Sequence, residues 1–256
     1  MHSRRRPYIA ANWKMWGTRA EARRYCDRLL ELLPEPPQRP ADVVVCGPFT
    51  ALDVLVERLN DAEIGVAAQN MHQEETGAFT GEISAPMLVE LGVDSVVLGH
   101  SERRRDQEES DRALKEKVPA ALAAGLEPIL CVGETEEERA ADETERRLRH
   151  QVQEDLELVP EERLGELVIA YEPVWAIGTG LTATPDQAQE AIAFVRALVG
   201  DRSEEAAERV RVLYGGSVKA DNAGEILRQP DVDGALVGGA SLDPEDFARI
   251  VAAAGE

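Results

Sequence analysis

Residues 167 to 199 read LVIAYEPVWAIGTGLTATPDQAQEAIAFVRALV. The opening run, Leu167 to Tyr171, is apolar throughout, as a parallel strand buried on both faces should be. Polar chemistry begins abruptly at Glu172. Pro173 biases that residue towards extended backbone, and a run of branched, aromatic and glycine residues follows from Pro173 to Gly180. Thr184 then offers an N-cap with Pro185 at the first helical position, opening an Ala-rich helix over Pro185 to Val199. The stretch is one strand–loop–helix unit.

Working outward, the same unit recurs. Apolar, β-branched runs stand at Tyr8 to Ala11, Val43 to Cys46, Ile64 to Ala68, Ser95 to Leu98, Pro128 to Val132, Val210 to Tyr214 and Ala235 to Val237. Helical patterns lie between them, for example Arg19 to Leu33 and Ala113 to Ala124. Strands alternating with helices predict βαβ units and a parallel sheet. Eight repeats without a Gly/Pro-rich linker predict a single (β/α)8 barrel domain over residues 1–256, with 1–6 as a flexible tail. The 256 residues suit that fold, which commonly takes about 250. An open doubly wound sheet is the rival, but no GxGxxG follows the first strand. The charge run Glu134 to Arg149 reads as a solvated helix face, with Glu143/Arg147 and Glu145/Arg149 at helix-stabilising spacing.

Composition removes several functions. The formal net charge is −21, opposite to what binding nucleic acid or an anionic membrane requires. Any anionic substrate needs a strong local cation. Lysine is rare, so Lys14, bracketed by Trp13 and Trp16, stands out. Cys26, Cys46 and Cys131 are scattered and odd in number, which suggests reduced thiols and a cytoplasmic location. With four scattered histidines there is no metal-ligand cluster, and no metal or cofactor is expected.

Barrel enzymes place their chemistry at the C-terminal ends of strands. The unusual polar residues fall there. The first strand runs into Asn12-Trp13-Lys14 and the fourth into Gly99-His100-Ser101-Glu102-Arg103. The sixth runs into Glu172, and the last two into Gly215-Gly216-Ser217 and Gly238-Gly239-Ala240-Ser241. Two glycine pairs on the late strands, with Ser241 to Phe247 as a short helix after them, predict a phosphate cradle of backbone N–H groups. Glu172, under a lid-like run, is expected to be a base whose pKa rises as burial strips its solvation. His100 is a candidate proton carrier. Lys14 supplies a cation for an enediolate or phosphate, and Asn12 a neutral donor. Glu102 reads as a rim ion pair. Base, proton carrier, cation and phosphate cradle together suit proton transfer beside a carbonyl on a phosphorylated substrate.

These motifs resemble the triosephosphate isomerase family. The resemblance runs from Ala10 to about Ala248 and also takes in Gly77 to Ser84. Its pKa tuning and lid closure are worked examples of general enzymology. The resemblance implies dihydroxyacetone phosphate and glyceraldehyde 3-phosphate as substrates, in glycolysis and gluconeogenesis. Glu172 would take a carbon-bound proton, and neutral His100 would move a proton between the oxygens. Lys14 and Asn12 would stabilise the enediolate. Backbone groups at Gly178, Ser217, Gly238 and Gly239 would hold the phosphate, Ser101 would support the open lid, and Glu102 would support Lys14. The family is typically dimeric. Its third loop, Gln69 to Ile83 here, would reach into the partner near its first loop, with Thr80 supporting the neighbour's Asn12 and Lys14. Trp16, in the pocket receiving that loop, Asp106-Gln107-Glu108 and Leu181 depart from the family pattern. A pentose-phosphate epimerase would need a different acid/base set, and a silent scaffold should have lost Lys14, His100 or Glu172.

Overall fold

The computed structural model describes residues 5–178 and 181–255. Eight strands close into an all-parallel barrel in sequence order: β1 (Tyr8–Asn12), β2 (Asp42–Cys46), β3 (Gly65–Ala68), β4 (Ser95–Leu98), β5 (Glu127–Val132), β6 (Val168–Tyr171), β7 (Arg211–Tyr214) and β8 (Gly234–Val237). Closure runs through β1 and β8, with Tyr8 paired to Gly234 and Ala11 to Val237. Outside lie α1 (Arg19–Leu32), α2 (Leu52–Leu59), α3 (Ala85–Leu91), α4 (Ser101–Asp106), α5 (Asp111–Ala123), α6 (Glu136–Ala140), α7 (Thr144–Asp155), α8 (Pro185–Gly200), α9 (Glu204–Arg209), α10 (Ala220–Leu227) and α11 (Pro244–Ala253).

The near-continuous hydrophobicity of the strands follows from two buried faces. Tyr8, Ala10, Val44, Cys46, Ile129, Cys131, Leu213 and Leu236 fill the barrel interior. Their alternates Ile9, Ala11, Val43, Val45, Leu130, Val212 and Val237 pack outward under the helices, as a side-chain period of two requires. Thr18 and Thr184 cap α1 and α8 through reciprocal capping boxes with Glu21 and Gln187, each offsetting an otherwise orphaned N–H.

Several local expectations shift. Arg5 and Arg6, read as tail, are docked: Arg5 Nε donates to Asp233 (2.7 Å) and Arg6 Nε to Asp42 (2.6 Å). Residues 1–4 lie outside the described residues. The charge run divides into α6 and α7, and its expected pairs are not the ones formed. Glu143 pairs with Arg146 at 2.6 Å, while Arg147 reaches Asp111 and Glu138. Arg149 stacks on Phe194. Glu134, at the head of the run, is fully buried. After β8 a 3-10 turn, Gly239–Leu242, precedes α11, where the sequence suggested one short helix.

Candidate active site

Strand ends converge on one cavity of about 700 Å³ at the C-terminal mouth of the barrel. Asn12, Lys14, His100, Glu172, Gly178, Ser217, Gly238 and Gly239 all line it. Eight positions scattered over 228 residues thus share one wall because each ends a parallel strand or stands on the loop after one.

Glu172 is buried and held on both sides. Its N–H donates to Val132 O of β5 at 2.7 Å. Its Oε2 accepts the Ser101 N–H at 2.8 Å, and its Oε1 lies 3.0 Å from His100 Nε2. Ser101 thus meets Glu172 through its backbone at the start of α4. Burial acts to raise the Glu172 pKa. The facing His100, the Ser101 N–H and Lys14 outweigh it and hold the carboxyl below its ordinary value. The expected rise is therefore reversed in this arrangement, because burial here comes with partners that favour the charge.

For His100, burial lowers the pKa, and the Glu172 carboxylate more than compensates, raising it. A third contact opposes protonation. His100 Nδ1 accepts the Glu102 N–H at 3.2 Å, as the cap of α4. An imidazolium has no acceptor at Nδ1, so charging the ring costs that bond. With Nδ1 engaged by the Glu102 N–H, Nε2 is the ring atom left facing Glu172 and the cavity, 3.0 Å from Glu172 Oε1.

Lys14 has a left-handed backbone, φ 55°, uncommon for a residue with a side chain. Its N–H donates to Asn12 Oδ1 at 3.0 Å, and its Nζ pairs with Glu102 Oε1 at 2.6 Å. Gln69, singled out in the sequence only as the start of the third loop, fastens this turn. Its Nε2 donates to Lys14 O and Cys46 O, both at 2.9 Å. The turn also sends neighbouring side chains apart. Trp16, 64% exposed, lines the main cavity, while Met15, 93% exposed, borders a separate recess of about 270 Å³ with Gln69, Arg103, Asp106 and Gln107.

Two more residues differ from their sequence reading. Gly215, read as part of a phosphate cradle, spends its N–H on Tyr171 O at 2.7 Å. A Cβ there would sit 2.9 Å from Glu172 Cγ, so its lack of a side chain gives the carboxylate room. Glu134 anchors the start of the loop after β6: its Oε1 accepts from Tyr171 Oη at 3.0 Å and Trp175 Nε1 at 2.9 Å. Charge patterning hid it, since a buried glutamate at the head of an acidic run looks like its solvated neighbours. The lid-like run from Pro173 is described to Gly178, which has φ +72°; Thr179 and Gly180 lie outside the described residues.

The sequence matches the family model described as triosephosphate isomerase over residues 7–254. It is 52% identical over 254 residues to the triosephosphate isomerase of Symbiobacterium thermophilum, covering 98% of both chains. It is 50% identical over 248 residues to that of Syntrophotalea carbinolica and 52% identical over 248 to that of Clostridium novyi, covering 96% of this chain and 98% of each relative. With a closed eight-stranded parallel barrel and its polar residues gathered at the strand ends, the chain belongs to the triosephosphate isomerase family.

Proposed function

We propose that this protein interconverts dihydroxyacetone phosphate and D-glyceraldehyde 3-phosphate through an enediolate, within glycolysis and gluconeogenesis and without a cofactor. The observation that carries the reading is Glu172 facing His100 at 3.0 Å on the wall of a cavity that also holds Lys14. Glu172 removes the carbon-bound proton. His100 donates from Nε2 to the substrate oxygen and carries a proton between the two oxygens. Lys14 and the Asn12 amide stabilise the negative charge that develops there. Once substrate separates Glu172 from His100, the His100 share of the pull that lowers the carboxyl pKa is gone, and burial, opposed then only by the Ser101 N–H and Lys14, lifts it towards the range of a useful base.

The phosphate is held by backbone N–H groups at Gly178, Ser217, Gly238 and Gly239. The first N–H groups of the turn Gly239–Leu242 have no partner within it. Closure of Pro173 to Gly180 excludes water from the intermediate. The three cysteines are free and buried, which suits a reducing cytoplasm.

The working form is a homodimer through the loop Gln69 to Ile83. That loop is pre-shaped: the His72 N–H donates to Ile83 O at 2.8 Å, and the His72 and Phe79 rings stack at 4.1 Å. Thr80 at its tip is exposed. Met15, Phe79 and Met87 are large apolar side chains open to solvent, a surface that a second copy would cover, and the recess beside Lys14 and Met15 supports the reading as room for a partner's loop.

A coupled assay for glyceraldehyde 3-phosphate formation, with chelator and no added metal, tests the reading. Purified folded protein should turn over dihydroxyacetone phosphate. A folded protein without activity would favour a silent scaffold.

A further inference from the structure

We infer that Arg104 is a positioning residue for the proton-transfer pair, and that it acts through the carbonyl of Gly99. The inference rests on the roles of Glu172 and His100 proposed above.

Arg104 sits on α4, one turn beyond His100, and its side chain is 13% exposed. Its fork satisfies acceptors on four different segments. Nε donates to Gly99 O at 2.7 Å. Nη2 donates to Cys131 O at 2.9 Å and to Asp155 Oδ2 at 2.7 Å, and Nη1 pairs with Asp111. One guanidinium thereby ties the turn after β4 to the end of β5, to α5 and to α7.

The glycine before the histidine is part of the same device. Gly99 has φ +71°, and a Cβ there would lie 2.9 Å from Arg104 Nη2, 2.8 Å from Leu114 Cδ1 and 3.2 Å from Cys131 O. The space under this turn is taken by the arginine. Any side chain at position 99 would compete with it.

What the turn carries explains why its placement matters. His100 and the Ser101 N–H follow Gly99 directly, and they are the two groups that touch the Glu172 carboxylate. Packing alone does not fix them. A recess of about 290 Å³ lies behind the turn, bordered by Gly99, Ser101, Arg104, Cys131, Gly133 and Glu172. Without the fork, the turn and the carboxylate have room to relax into it. A displacement near 1 Å costs on the order of a hundredfold in rate when it misplaces reacting groups.

Arg104 is far less concerned with substrate affinity. The phosphate-holding groups stand on the loops after β6, β7 and β8, which its hydrogen bonds do not reach. A lysine cannot replace it: an ammonium keeps the charge facing Asp111 and Asp155 but has no fork to span Gly99 O and Cys131 O together.

The test separates positioning from bulk stability. Arg104→Lys should lower kcat about tenfold or more. The KM for triose phosphate and the inhibition constant of inorganic phosphate should stay within about twofold of wild type. Asp155→Asn removes a carboxyl partner of Arg104 but leaves the Gly99 and Cys131 hydrogen bonds, and should keep kcat within about twofold. A folded Arg104→Lys with near wild-type kcat overturns the inference. So does an Asp155→Asn that loses kcat tenfold, and that arm decides if Arg104→Lys fails to fold. Because the wild type is assayed alongside, a failure of the proposed function appears as an inactive parent, whereas failure of this inference leaves the parent active.

Discussion

At the scale of single residues, the site is governed by which charges are buried with partners. Glu172 has the Ser101 N–H, His100 and Lys14 around it, and its pKa is lowered in spite of burial. Asp155 is the opposite case. Burial drives its pKa up to about 7, although Arg104 pulls it down, and its Oδ1 is buried without a hydrogen bond among the described residues. A carboxyl near 3.9 when unfolded and about 7 when folded binds its proton more tightly in the native state. Its contribution to stability is fully present below about pH 4 and is lost as pH rises through 7. The melting temperature of the wild type, measured relative to Asp155→Asn, should therefore fall between pH 5 and pH 8. A difference that stays flat over this range would show that Asp155 is ionised throughout.

At the scale of elements, most of the architecture was legible. Eight apolar runs gave eight strands, with ends within a residue of the observed ones, because strands buried on both faces have no polar position to confuse the reading. The capping threonines placed α1 and α8 for an equally local reason. What sequence could not supply was pairing across space. Glu143 and Arg147 have helical spacing, yet a break after Ala141 and the nearness of Asp111 redirect Arg147. Glu134 looks like part of a solvated face until β6 and the lid segment bring Tyr171 and Trp175 to it. Gln69 and Arg104 were invisible as site-shaping residues, since both work on backbone carbonyls, which no sequence pattern marks. By contrast Asn12, Lys14, His100 and Glu172 stood out because polar residues are rare at the end of an apolar strand.

At the scale of the whole molecule, the dominant fact is the net charge of −21. The substrate is an anion, so the summed field opposes encounter even though Lys14 attracts it at close range. Salt screens long-range repulsion first, with a Debye length near 10 Å at 0.1 M. Moderate salt should accordingly raise kcat/KM before competing anions occupy the phosphate cradle. A monotonic fall from the lowest salt would mean that the local cationic field already governs association.

In the proposed reaction Glu172 takes the carbon-bound proton. Steady-state kinetics of Glu172→Asp probe this role, because the substitution retracts the carboxylate by one methylene without removing it. The variant should lose on the order of a hundredfold or more in kcat, while KM changes little, because the phosphate and oxygen contacts are made by other residues. Near-normal turnover in a folded Glu172→Asp protein would contradict the account.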